Sequence, residues 1–554
     1  MSAEAELPQI EDAAEPASLG RWLATVDRAM GAASDRLNSI LVKETRQALK
    51  SRQFTITFGL LLFCGWIWSI LGVAIIGPDI WHGAHGHDMF FGYYVILAFP
   101  LLVIVPFGAF RSLAGEQEDR TYELMSITTL NPRQIVRGKL GSAALQMLVY
   151  LSAISPCLAF TYMLRGIDVM TILFIIFYLA LASMALSVIA LLAGTLTSEK
   201  HWQVVLSVLL IAGLLYAFGM SFFFAAVTLS ELHSVFRDAE FWQANAAVVT
   251  GYVSYFMLLF YAAASQLTFS SDNRSTRLRV VMVAQYVAFV GWMGWVWIWP
   301  GRGDVDVAWV FLMFVAFHWY AMGALMTGES PELSPRVKRQ LPQSFLGRVF
   351  LTWFNPGPGT GYLLAVSSLL SALVLVTIAV AAADWFSLSF FTRWSARGTE
   401  SILPFGVLAL SYVTFYLGIG LLLIRFLRRF AYVGILLAAL LHVLLVLLGF
   451  GIPLIIHLMS PSLRGTDYNL LHLTDPFWSL VYLVDRPGLP AYAPVLLTVV
   501  PLAALLVFVL NLPGVVREVR HVRIARPKRV ADEDAALAAA KAPPPQPVRT
   551  SPWD

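Results

Sequence analysis

The chain is poor in cysteine and in charge. Its two cysteines in 554 residues, Cys64 and Cys157, fall in separate apolar runs, which excludes a disulfide framework and a cysteine metal cluster. Charged residues make up 13% of the chain and hydrophobic residues 58%, with a mean hydropathy of +0.71, far from the usage of a soluble domain. No G-x-x-x-x-G-K-[ST] stretch occurs, so the chain has no phosphate loop of its own. The long apolar runs hold no Asp, Glu, Lys or Arg, which leaves His318 and His442 as the strongly titratable residues deep in the spans, beside Gln146, Gln266 and Gln285. Carriers coupled to protons or sodium generally need carboxylates at the bilayer midplane, and membrane-embedded hydrolases need a paired acid and base or a nucleophile with its base. Neither arrangement is evident, and both classes are disfavoured. An enzyme is not expected.

What the chain does have is apolar runs of spanning length, about 20 residues each. Twelve are found, at roughly 54–77, 90–110, 140–164, 169–197, 203–227, 245–269, 280–299, 307–327, 361–383, 404–424, 430–458 and 491–515. The expected fold is an all-α polytopic membrane protein of about twelve transmembrane helices. Of the 38 Lys and Arg, 31 fall in the connections on one side and 7 on the other, so the richer side, with both termini, is expected to be cytoplasmic. The expected location is multi-pass in the plasma (inner) membrane. With no apolar core and small-residue cleavage site near the start, the first run is expected to be retained. The organisation reads as a mostly disordered N-terminus over 1–34, an amphipathic interfacial helix over 35–53, a six-helix region over 54–269, a second six-helix region over 280–515, and a basic, then Pro/Ala-rich cytoplasmic tail over 516–554.

Two stretches on the basic side stand out. Residues 35–53, DRLNSILVKETRQALKSRQ, place Leu37, Ile40, Leu41 and Ala48 roughly on one helical face with Lys43, Arg46, Gln47 and Lys50 on the other, the pattern of a helix lying at the membrane surface. Residues 111–140, RSLAGEQEDRTYELMSITTLNPRQIVRGKL, are far longer and more charged than a loop between two spans needs. The part EQEDRTYELMSI favours a helix with acids near its start. A break at Thr128 to Leu130 follows, and then Asn131 as a cap with Pro132 at the first turn of a helix running through Lys139 into the third span. A helix, a break and a second helix at the membrane base make a mechanical handle.

Here the chain resembles a known family. Glu116, Thr121, Glu123, Leu124 and Thr129, followed by Asn131, Pro132, Ile135, Gly138 and Lys139, are similar to the cytoplasmic motif of the type 2 ABC exporter permeases. In that motif an acidic Gly/Arg-Thr-x-Glu-Leu stretch leads through Thr-Pro to Gly-Lys before the third helix. LVKETRQALKSR resembles the family's amphipathic helix before the first span, and Pro156 and Gly166 also sit where the family tends to have them. The resemblance covers about residues 35–270 and departs at Arg120, where Gly is usual, and at Leu130, where Pro is common. It implies a membrane subunit of an ATP-driven exporter, with coupling segment 111–139 docking on a separate ABC ATP-binding subunit that carries the ATP and Mg. In that picture Glu116, Glu118, Arg120 and Glu123 make polar contacts with the motor, Leu124 and Ile127 bury an apolar edge in it, and Thr121, Arg133 and Lys139 complete the coupling set.

Other readings stay open. The first outer loop, WHGAHGHD, brings His82, His85 and His87 together with Asp79 and Asp88 at a spacing that suits zinc or copper, though short polar loops gather His and Gly without ligating anything. A non-transporting membrane scaffold, anchoring an envelope assembly, is the alternative to a permease. An exporter needs two handles for two motors, and nothing in 280–554 repeats the motif, so either the chain homodimerises or 328–360 is a divergent second handle; the homodimer is the expectation. No nucleic-acid partner is expected. The cargo is not legible, although uncharged spans argue against a strongly ionic pathway.

Overall fold

A computed structural model describes residues 38–541 apart from 82, 119–129, 197–198, 270, 299–304, 386–395, 461–462, 464–467, 485–489, 522 and 525–526. Every regular element among the described residues is helical, and twelve helices are long and apolar enough to cross a membrane. The protein is an all-α polytopic membrane protein.

By contacts the chain divides into two compact units, one of residues 1–246 with 259–267, the other of 247–258 with 268–554. The first unit holds α1 (Ser39–Leu49), α2 (Arg52–Ile76), α3 (Gly86–Phe99), α4 (Val105–Glu118), α5 (Pro132–Met163), α6 (Val169–Thr195) and α7 (Lys200–Val235). The next helix, α8 (Ala239–Gln266), supplies residues to both. The second unit continues with α9 (Thr276–Ile298), α10 (Val305–Thr327), the short α11 (Pro335–Lys338) and α12 (Phe345–Phe350), then α13 (Pro358–Trp385), α14 (Ala396–Leu427), α15 (Ile435–Met459), α16 (Pro476–Val484), α17 (Ala493–Val519) and α18 (Lys528–Lys541).

In the first unit α3 and α4 form one continuous span, joined by a π-helical turn at Pro100–Ile104. Pro100 and Pro106 cannot donate to the ladder, so carbonyls in this stretch need other partners. One is found at Leu101, whose carbonyl accepts a 2.7 Å hydrogen bond from Ser183 on α6. This span is the heart of the unit. Phe90, Tyr93, Tyr94, Leu97, Leu101 and Leu102 are buried in its core, and Tyr93 shares a hydrogen bond with Ser69 at 2.6 Å. Tyr150 of α5 does the same with Thr57 of α2 at 2.6 Å. Each buried phenol thus has a partner, as a low-dielectric interior demands.

The span also runs further than its hydropathy suggests. Phe110, Leu113 and Ala114 continue its buried face, so the helix carries on to Glu118. Glu116 and Glu118 therefore extend the second span rather than open a separate charged helix.

The second unit is packed around Trp319, Tyr362, Leu364, Leu369 and Leu417. His318 Nδ1 bonds Tyr255 Oη at 3.1 Å, and His442 Nδ1 bonds the Ala438 carbonyl of its own helix at 2.8 Å. Neither is part of a relay of titratable groups among the described residues.

Candidate functional site

The charged stretch that interrupts the first half is rooted in a buried corner where α1, α4 and α5 meet. On the return side, Pro132 occupies the first turn of α5 and the Asn131 amide donates to Gln134 Oε1 at 2.9 Å, the reciprocal half of a capping box. This starts the helix sharply, and seven residues on it presents Lys139.

Glycine then brings α1 onto α5. A Cβ at Gly138 would lie 2.8 Å from Ile40 Cβ and 3.1 Å from the Leu41 amide nitrogen, and one at Gly141 would lie 2.8 Å from Leu41 Cδ1. Only helices that bare their backbone approach this closely. Asn38 caps α1 through the Ile40 amide and donates from its side chain to the Gln134 carbonyl, so the two helix starts are stapled together. Ile40 and Glu44 are four apart and share a face, and Glu44 consequently hangs over Lys139.

Lys139 is buried, its side chain 1% exposed, and its Nζ reaches Glu44 Oε1 at 3.1 Å, Glu116 Oε2 at 3.0 Å and the Ser112 carbonyl at 3.0 Å. Glu44 and the Ser112 carbonyl accept hydrogen bonds from it and Glu116 adds an ion pair, so its charge is met from two other helices. Lys43, exposed, adds a longer contact of 3.6 Å to Glu116, so two cations face two carboxylates. At the tip of α4, Glu118 pairs with Lys200 of α7 at 2.8 Å, both well exposed. The chain thus leaves at Glu118 and returns at Leu130 from a root fixed to α1, α5 and α7. A cavity of about 520 Å³ opens beside the root, lined among others by Lys43, Gln47, Arg111, Glu116, Gln146 and Tyr150.

The structure gives several of the expected site residues a place. Lys139 and Glu116 belong to the coupling set read from the sequence, yet their charges are turned inward against each other and hold the root of the segment. A lysine is too costly to bury unpaired, and Glu44 and Glu116 supply what water would have supplied. The surface role expected of α1 is also incomplete: its Ile40 and Leu41 face is spent on α5, while Lys43, Arg46 and Lys50 are exposed. Arg133 is half-buried in the first turn of α5. Arg120, Thr121, Glu123, Leu124 and Ile127 lie outside the described residues, as does His82. His85 is 4.0 Å from Asp88, and the described residues hold no group of three ligands suited to a metal.

Glu44, Ser112 and Lys200 were not singled out by sequence. For Glu44 a signal existed, an acid four residues after Ile40 on the otherwise apolar side of the helix.

The second unit has a charged corner of its own, also unforeseen. Arg279, fully buried in the first turn of α9, donates through Nη2 to Glu329 Oε2 and the Gly357 carbonyl, each at 2.8 Å, and through Nη1 to Thr360 Oγ1 at 2.9 Å and to the carbonyls of Trp353 and Asn355. Glu329 also accepts from the Gly357 amide at 2.8 Å. Glu518 of α17 accepts from the amides of Gly359 and Thr360 at 2.9 and 3.0 Å, satisfying the start of α13 where helix amides lack partners.

No family model, curated protein or solved structure matches the chain.

Proposed function

We propose that this membrane protein is the permease subunit of an ATP-driven ABC exporter, and that residues 111–139 take up motion from a separate ATP-binding subunit that holds the ATP and Mg. The observation that carries the reading is the root at Lys139. A segment with the family's motif leaves and re-enters the membrane at one buried ion cluster, and that cluster joins the helix before the first span, the end of the second span and the start of the third. A push on the segment would be delivered to three helices at once, where a solvated loop on independent spans would dissipate it. The single occurrence of this handle favours two copies of the chain per working unit.

The test lies in the segment itself. Glu123→Lys should abolish co-purification with the ATP-binding subunit and ATP-dependent export, while leaving the membrane protein folded. If complex and export both survive, the permease reading fails. A chain that purifies with no ATPase at all, and has no ATP-binding-cassette gene beside its own, would favour a membrane scaffold.

A further inference from the structure

Within the segment 329–357 of the second unit, residues 345–352 are built inside out. In a helix that packs on protein, apolar residues face inward and charges outward. Here the side chains turned inward are Arg348 and Thr352, 8% and 4% exposed. Arg348 donates to the carbonyls of Pro342 and Gln343 at 3.2 and 2.9 Å, and Thr352 Oγ1 to the Arg348 carbonyl at 2.8 Å. The residues turned outward are Phe345, Leu346, Val349, Phe350 and Leu351, with Leu346 65% and Phe350 80% exposed. A contiguous apolar face of this kind needs a cover.

Two observations say what covers it. The first is depth. Thr276 Oγ1 bonds the Phe354 carbonyl at 2.6 Å, and Arg279 bonds those of Trp353 and Asn355, while Thr276 and Arg279 form the first turn of a membrane span. The end of the apolar stretch is thereby pinned to the first turn of that span. The second is charge. No Asp or Glu occurs from 333 to 383, whereas Arg336, Lys338 and Arg339 lie just before the apolar face, Arg336 paired with Asp272 at 2.9 Å, and this excess of base suits anionic headgroups. The neighbouring turn on the same side of the unit follows the same rule. Its Phe430 and Tyr432 are exposed beside Arg429, and Arg428 ties it to the Gly328 carbonyl at 2.7 Å.

We infer that residues 345–354 are an interfacial anchor, laid with Leu346 and Phe350 in the headgroup and upper acyl region of the leaflet on the base-rich side and held at that depth by Arg279. The segment is then a lipid-bound strap and not a second docking handle. The inference stands independently of the exporter reading, since it uses only the spans and the local geometry.

The test exploits the scarcity of cysteine. In full-length protein carrying Cys64→Ala and Cys157→Ala, single probes are introduced by Leu346→Cys, Phe350→Cys and, as an exposed polar control, Glu332→Cys. Each is labelled with a nitroxide in nanodiscs of phosphatidylcholine and phosphatidylglycerol. Collision with oxygen relative to a water-soluble nickel chelate should be several-fold higher at 346 and 350 than at 332. Equal nickel access at all three positions would overturn the proposal. So would probes at 346 and 350 that are shielded only when a soluble ATP-binding subunit is added, because the face would then be a protein dock. The three probe positions are exposed, and retained detergent-solubilised monodispersity separates a failed fold from a failed idea.

Discussion

The two charged corners, Lys139 in the first unit and Arg279 in the second, face one problem: a long polar segment must leave and re-enter the membrane between two spans. Lysine offers a compact ammonium, and at Lys139 its partners are carboxylates and one carbonyl on neighbouring helices. These bonds run between helices, from the start of the third span to α1 and to the end of the second span, and they brace the root. Arginine offers a planar fork of five donors, and Arg279 spends it largely on the backbone of the segment itself, at Trp353, Asn355 and Gly357. That segment is tied down. The difference teaches that a buried cation can either brace the helices around a loop or fasten the loop, and the choice of side chain decides which.

The largest effect in breaking this contrast should come from Lys139→Met. It leaves Glu44 and Glu116 buried without their ammonium, and removing one partner of a buried ion cluster costs about 3–5 kcal/mol. Thermal unfolding in detergent, followed by proteolysis of the first unit, should show the loss, and an unchanged midpoint would mean that water replaces the lysine freely. Exchanging the cations sharpens the comparison. Arg279→Lys keeps the charge but cannot reach five acceptors with three donors, and stranded buried carbonyls cost about 1–3 kcal/mol each. The expected outcome is faster proteolysis within 340–357, and segment cleavage like that of the parent would contradict the fastening role.

A smaller effect separates the two glycines under α1. Gly138→Ala drives a methyl against Ile40 Cβ and the Leu41 backbone, neither of which can swing away, and overpacking of this kind costs about 1–3 kcal/mol. Gly141→Ala meets only the end of the Leu41 side chain and should be far milder. Equal effects would show that α1 is not held as closely as the Lys139 corner requires.

The smallest effects concern acid, at the opposite end of the second unit. His472 is buried, with Nε2 3.3 Å from His457 Nδ1, and burial, reinforced by His457, holds its pKa below the usual value. Its unfolded form takes up a proton first, so stability is lost as pH falls through about 6.5, the ordinary histidine value. Burial pushes Asp475 the other way, up, against the amides of Phe477 and Trp478 that it caps. Its ionisation costs stability above the ordinary carboxylate range, and that cost fades on acidification. Unfolding midpoints across pH should therefore show His472→Gln weakening the acid loss and Asp475→Asn gaining at neutral pH only. Parallel pH curves for both variants and the parent would refute the assignment.

Much of the candidate site could be read in advance. Asn131, Pro132 and the place of Lys139 on the third span follow from capping chemistry, which acts over a few residues. What could not be read is where Lys139 and Glu116 point. Lys43 and Lys139 are equal as letters, and nothing along the chain says that one is exposed and the other almost wholly enclosed. The inversion of 345–354 was invisible for a related reason, because its pattern is apolar and basic whichever face is turned to the protein.

By itself, then, the sequence determined the twelve spans, the basic side and the charged segment after the second span, since the cost of placing charge in hydrocarbon is paid residue by residue. Only the tertiary structure decided which charges are withdrawn from water and what each holds, because burial and pairing depend on helices far apart in the chain coming together, as Gly138 lets α1 do.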